Sequence, residues 1–389
     1  MKKYSPLIGL ASSALLTMIG IDLSIYWSTP VFAAVSSSER HPILHTSLAH
    51  GVSKYPSPVL SDLRMVTRST GWAIAQNGTV WYTTDGARIW RNITPKGIHP
   101  SQALQRYLYS DDVNHAWYAV SDLNQAFVIV YRTSNRGQTW SKTKIDDSGT
   151  PFYFQFTDQR HGWLSLLQGA AAGSERETIY QTQNGGISWV NISTTNELKH
   201  GTMPFGGDKT GSSFINPQHG WMTGYSAVNG YTYLFQTKND GLTWNPQKIR
   251  IQSKFKEAGF TSYPPVFLGK QDAILPFIVY TSSGGFLAYR TINGGVTWTP
   301  TTPVFGNVRY GFFQWSLVSL NNWFVTDGQK LFVTDDGGQK WNSITPNISF
   351  KNLSEIDFVS SQNGWAVKNS GALYHTVDGG RVWVKMKGN

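Results

Sequence analysis

The 389-residue chain contains no cysteine. This excludes disulfides, thiolate metal sites and a lipid-bearing cysteine, so the fold must be held by core packing alone. Charge is sparse as well: Asp, Glu, Lys and Arg together make up 14% of the residues, which spreads the formal net charge of +10 thinly. That basic balance fits contact with an anionic wall polymer, a membrane surface or an acidic partner, or simply a generally basic exterior. There is no Gly-x-Gly-x-x-Gly after a strand, no Walker-type glycine loop and no serine elbow, so no cofactor is expected. Long apolar runs are missing apart from residues 6–21, about 16 residues before Asp22, short of the roughly 20 that span a bilayer.

That one run follows Lys2 and Lys3 and is succeeded by Val31-Phe32-Ala33-Ala34, the layout of a secretory signal with a small-residue cleavage site. Residues 1–33 are therefore expected to be a signal peptide, with an uncleaved anchor as the alternative. An extracytoplasmic location, secreted or at the cell envelope, follows. Residues 34–58, rich in Ser, His and Pro without periodicity, are expected to be a linker.

What the chain has in abundance is one eight-residue phrase. TTDGARIW (83–90), TSNRGQTW (133–140), TQNGGISW (182–189), TKNDGLTW (237–244), TINGGVTW (291–298), TDDGGQKW (334–341) and TVDGGRVW (376–383) recur every 42–55 residues. A period of that size, with no helical pattern between copies, signals a propeller in which each unit buries itself against its neighbours. A second marker precedes each phrase: Trp72, Trp117, Trp163, Trp221, Trp323 and Trp365, usually after glycine, while the fifth unit shows PFIVY (276–280) where the others have this tryptophan. The last unit runs LSEIDFVS, GWAVKN, ALYHTV and RVWVKM between turns, the four short strands of one blade. The expectation is an all-β, seven-bladed propeller over residues 59–389, built of four-stranded antiparallel blades.

Within each phrase Asp85, Asn135, Asn184, Asn239, Asn293, Asp336 or Asp378 can accept backbone N–H groups of its own turn, and the glycine after it takes the left-handed conformation of the reversal. Four of the seven are Asn, which has no charge and no titratable proton, so metal binding or acid catalysis by these positions is not expected. The first copy departs most, with Ala87 and Ile89 where glycine and Thr are typical.

These segments resemble the Asp box, or BNR repeat, of sialidases. Together with the GW marker and the signal sequence, over about residues 60–386, the pattern is similar to that of the photosystem II assembly and stability factor family and its bacterial relatives. The resemblance implies a role in helping membrane-protein complexes assemble or remain stable, while the matched motifs are structural and transfer no partner-binding residue.

Function is expected on the face without the box turns, where long irregular stretches gather at 95–106, 168–178, 193–211 and 246–263. Lys248, Arg250, Lys254 and Lys256, interleaved with Ile249, Ile251 and Phe255, are the candidate partner-binding strip. Arg106 and Lys199, with Lys96, Lys209, Arg309 and Lys351, would extend it into a basic rim; Phe205, Phe255 and Tyr263 are candidates for stacking. The expected partner is a protein or an anionic envelope polymer, not nucleic acid, and the expected state a monomer.

The rival reading is a carbohydrate-active protein, a glycoside hydrolase or lectin. Such an enzyme needs two positioned carboxylates, or a Tyr nucleophile with its base. The Phe/Tyr-Arg-Ile-Pro segment that a sialidase resemblance would require is absent. The candidate carboxylates Asp122, Glu175, Glu177, Glu197, Asp208 and Glu257 form no recognisable pairing in sequence. His115, His161 and His219 recur just before the second marker and are expected to serve the first turn of each blade. His41, His45 and His50 in the linker form at most a weak metal site.

Overall fold

The computed structural model describes residues 58–386 except 102–103, 111, 123–125, 172–173, 196–202, 205, 282–283 and 307–312. The expected signal, most of the expected linker, Lys199, Phe205 and Arg309 lie outside the described residues. Among those described no helix is long and apolar enough to cross a membrane, and the only helical turn recorded is a 3₁₀ turn at Ser253–Phe255.

The architecture is a β-propeller. Five sheets are four-stranded antiparallel meanders and a sixth has ten strands. The ten-stranded sheet holds two successive meanders, residues 208–246 and 259–305, stitched together where Tyr225 pairs with Thr261. Each sequence repeat thus occupies one meander. The fifth is irregular for a local reason: its first strand is broken into Gly259–Ser262 and Val266–Phe267, and Pro264 and Pro265 between them offer no N–H to the ladder.

The phrase forms the turn between third and fourth strands, and it is wired identically seven times. The threonine hydroxyl donates to the Asx Oδ1 at 2.8–3.1 Å and accepts the N–H of the fifth residue at 2.8–3.1 Å. Asx Oδ1 accepts the N–H of the seventh at 2.9–3.0 Å. The fourth residue then ties its turn to the first turn of the same blade, as from Gly86 N–H to Ser69 O and Gly185 N–H to Arg160 O, both 2.8 Å. Asn occurs where the seventh residue has a hydroxyl: Asn135, Asn184 and Asn293 donate their amides to Thr139, Ser188 and Thr297 at 2.8–2.9 Å, while at Asn239 the Thr243 hydroxyl donates to Oδ1 at 3.2 Å. Beside Ile89, Lys340 and Val382 no hydroxyl is there to receive an amide, and Asp stands instead.

The GW marker has two packing causes. A Cβ on Gly71, Gly162, Gly220 or Gly364 would overlap Met65, Phe156, Phe214 or Phe358, the residue that closes the first strand of the same blade. The tryptophan then stacks on the equivalent phenylalanine of the next blade: Trp117 on Phe156 at 3.8 Å and Trp163 on Phe214 at 4.3 Å between ring centroids. Such pairs add about 1 kcal/mol beyond their burial.

Two sequence readings are corrected by register. Trp323 pairs with Thr334, the place glycine or alanine holds elsewhere, so Phe324 takes the tryptophan's seat and stacks on Phe358 at 3.5 Å. In the fifth blade Ala273 pairs with Thr291, so Ile274, and not the PFIVY segment, occupies that seat.

A belt of side chains joins the first strands of successive blades at one equivalent position. Tyr109 OH donates to Phe156 O at 2.9 Å, Gln155 bonds both backbone groups of Phe214, and Ser213 Oγ donates to Pro265 O at 2.7 Å. Ser316 Oγ accepts Phe358 N–H at 2.9 Å, and Asp357 Oδ2 accepts Met65 N–H at 2.7 Å. The ring therefore closes between blades that each hold four strands of their own, by this bond and by packing of Leu60, Leu63, Met65 and Trp90 with Trp365, Val367 and Leu373.

Candidate partner-binding face

Connections between second and third strands, and between one blade and the next, lie on the face opposite the box turns. The stretch from Lys248 to Ala258, joining blade four to blade five, is the most basic of them. Its backbone is pinned from below: Tyr289 OH donates to Arg250 O at 3.0 Å, Gln252 Nε2 to Thr301 O at 3.3 Å, and Gly230 N–H to Ala258 O at 2.8 Å. Ile249 and Ile251 turn inward onto the core, which leaves Lys248 and Arg250 exposed in alternation. The 3₁₀ turn then drives Phe255 into the core and leaves Lys254 and Lys256 outside.

Four of the sequence candidates are placed differently from expectation. Phe255 is 2% exposed and is the plug that anchors the strip, so it cannot stack on a ligand. Arg106 is not a free rim charge: its Nη2 donates to Gln76 O at 2.8 Å and Ala75 O at 3.4 Å, and burial lowers its proton affinity while Tyr118 and Asp62 nearby oppose that. Lys209 is buried, its ammonium donating to Glu175 O at 2.9 Å. Tyr263 packs edge-on against Trp315 at 4.9 Å. Lys96 and Lys351 are exposed, as the rim required.

The strip has apolar neighbours that the sequence did not flag. Phe305 is 44% exposed, Tyr280 42% and Val228 61%. Lys254 Nζ lies 4.9 Å from the centre of the Phe255 ring and 5.8 Å from that of Phe305. Exposure of this kind leaves no trace in strand alternation, because it depends on which connection folds over which.

Three candidate carboxylates converge between blades three and four. Glu175 Oε2 accepts Lys209 N–H at 2.8 Å, Asp208 neighbours it in the chain, and Glu177 lies beneath, 0% exposed. Burial pushes the Glu177 carboxyl up to about 7, against the pull of the Ser165 hydroxyl and the Lys209 ammonium, and the Glu175 charge adds to the rise. Ser165 Oγ is itself paired with Ser212 Oγ at 3.2 Å, and neither Glu177 oxygen finds a well-aligned partner among the described residues. Burial raises Glu175 and Asp208 too and lowers Lys209, which the three carboxylates partly offset. Glu257 is exposed on the strip; Glu197 and the Asp122 side chain lie outside the described residues.

The histidines close first turns: His115 Nδ1 meets Asp112 Oδ2 and His161 Nδ1 meets Asp158 Oδ2, both at 2.7 Å, and His219 Nδ1 meets Asn216 Oδ1 at 3.2 Å. No group of three or more His, Asp or Glu able to hold a metal occurs among the described residues.

No family model matches the chain, and no curated relative matches it. Solved propellers do. YCF48 bound to a D1 peptide is similar at 17% identity and a TM-score of 0.55, covering 85% of this chain and 98% of that one. YCF48 from Cyanidioschyzon merolae is similar at 19% identity and a TM-score of 0.53, covering 85% and 96%. A family PL25 ulvan lyase bound to a sulfated uronic acid–rhamnose ligand reaches a TM-score of 0.50 at 10% identity, covering 86% and 95%. At these identities the likeness shows the fold.

Proposed function

We propose that this chain is a non-catalytic, extracytoplasmic binding and assembly scaffold for a membrane-protein complex, the role implied by its resemblance to photosystem II assembly and stability factors. The carrying observation is a division of labour between the faces. All seven box turns are consumed by their own backbone hydrogen bonds, whereas Lys248, Arg250, Lys254 and Lys256 stand exposed on a rigidly pinned connection of the other face. YCF48, whose fold this chain shares, holds a D1 peptide in one of its structures, which supports a protein partner. The protein works as a monomer without a cofactor.

Changing Arg250, Lys254 and Lys256 together to glutamate tests this. Pull-down of the partner complex from a detergent extract is expected to be lost with the melting temperature nearly unchanged, since exposed substitutions shift stability by about 0.5 kcal/mol or less. Undiminished pull-down would remove the strip from the reading.

A second reading, a carbohydrate-active protein, draws on the Glu175, Glu177 and Asp208 cluster. Glu177 is sealed from solvent and one Glu175 oxygen accepts the Lys209 N–H, which withholds Glu177 from the open pair of carboxylates that a glycosidic bond requires. Turnover of a fluorogenic glycoside that disappears in Glu175→Gln, Glu177→Gln or Asp208→Asn would establish it instead.

A further inference from the structure

We propose that the quadrant formed by blades four and five is a docking surface for an anionic lipid bilayer, so that the scaffold engages its partner complex from the membrane surface. The biological use rests on the scaffold reading; the lipid contact itself needs no partner and is tested without one.

Four segments meet in this quadrant. The 3₁₀ turn carries Lys254 and Lys256; the connection 226–230 of blade four reaches it through Gly230 and carries Val228; Phe305 packs beside Phe255 with ring centroids 6.2 Å apart; and Tyr280 ends the second strand of blade five, 6.1 Å from Tyr225. Val228, Tyr280 and Phe305 thus stand exposed around the turn of Lys254 and Lys256, on the connection that also exposes Lys248 and Arg250. Within residues 246–263 a single acidic residue, Glu257, opposes those four charges. A cluster of four or more cations flanking apolar and aromatic tips suits the headgroup region, where each basic side chain near an anionic surface contributes about 1 kcal/mol and aromatic groups settle at the interface.

Chain topology supplies an independent argument. The first strand begins beside Val59, whose carbonyl accepts Gln76 N–H at 2.8 Å and whose side chain lies against Gly371. Both contacts belong to connections between second and third strands, so the chain enters its first blade on this same face. An apolar run at residues 6–21 that remains in the membrane would tether the propeller to the bilayer through a chain that leaves from this face. One such anchor combined with a polybasic patch is the two-signal arrangement that gives stable membrane attachment.

The test is co-sedimentation of the full chain with vesicles of phosphatidylcholine alone or mixed with an equal part of phosphatidylglycerol. The expected result is an increment of binding on the anionic vesicles that fades as salt is raised, because exposed charges are screened beyond about 8 Å at physiological ionic strength. Lys254→Gln with Lys256→Gln should cut that increment about 25-fold, roughly fivefold per charge. Lys238→Gln with Lys270→Gln removes the same charge from exposed lysines on the box face and should leave it unchanged. Phe305→Ser should weaken binding at every salt concentration. Equal binding to both vesicle types, or equal losses in the two double variants, overturns the lipid surface. If the Lys254/Lys256 variant loses partner pull-down from detergent but keeps its vesicle increment, the patch contacts protein, and the lipid inference fails while the scaffold reading stands.

Discussion

Asp357 accepts the backbone N–H of Met65 at 2.7 Å, and through that bond the last blade holds the first. Asp357 is 7% exposed, and burial pushes its carboxyl up to about 6 despite the Met65 N–H and Arg64, with Asp62 adding to the rise. Asparagine at 357 keeps an acceptor for Met65, whereas alanine leaves a buried N–H without it, a loss of about 1–3 kcal/mol. Urea unfolding should therefore rank Asp357→Asn well above Asp357→Ala. Equal stability of the two would show that the bond does not close the ring.

The same group gives a pH prediction, as does Glu177. Both have folded pKa values above their ordinary ones, so their contribution is fully present below the unfolded values and is lost as pH rises through about 6 and about 7. The melting temperature should fall between pH 5 and pH 8. Glu177→Gln, neutral throughout, should match the parent near pH 5 and exceed it at pH 8 by about 2 kcal/mol. A variant that is less stable at pH 8 would mean that the Glu177 charge is satisfied.

Glycine in the box turns answers two demands that can be separated. Gly295 has a φ of +76° and Gly186 of +88°, so alanine at either costs about 1–2 kcal/mol of backbone strain. A Cβ at Gly186 would sit 3.3 Å from Trp117, which small movements accommodate, but at Gly295 it would overlap Trp221. Denaturation midpoints should fall further in Gly295→Ala than in Gly186→Ala, and the reverse order would contradict the packing account.

The first box holds Ala87 at a φ of +70° with its methyl fully buried. Ala87→Gly relieves strain but forfeits a buried methyl, terms of about 1 kcal/mol each and opposite in sign. Its stability should lie within roughly 0.5 kcal/mol of the parent.

The repeat was legible because each box threonine, Asx and glycine serves its own turn, and local chemistry writes itself into adjacent letters. The tryptophan seat was legible where glycine or alanine preceded the tryptophan; Phe324 and Ile274 fill it by register, which depends on strands dozens of residues apart. The basic strip was visible as four cations, yet Phe255 within it reads like any exposed aromatic until the 3₁₀ turn buries it. Arg106 and Lys209 looked like surface charge because their partners, the Gln76 carbonyl and Glu175, come from a neighbouring blade.

The central claim, that partners meet the face without the box turns, is tested most directly by placing a photo-activated cross-linking side chain at Arg250 or at Lys238 in the native host. The account predicts a discrete adduct with an envelope component from position 250 and none from position 238. Adducts from 238 alone would contradict it.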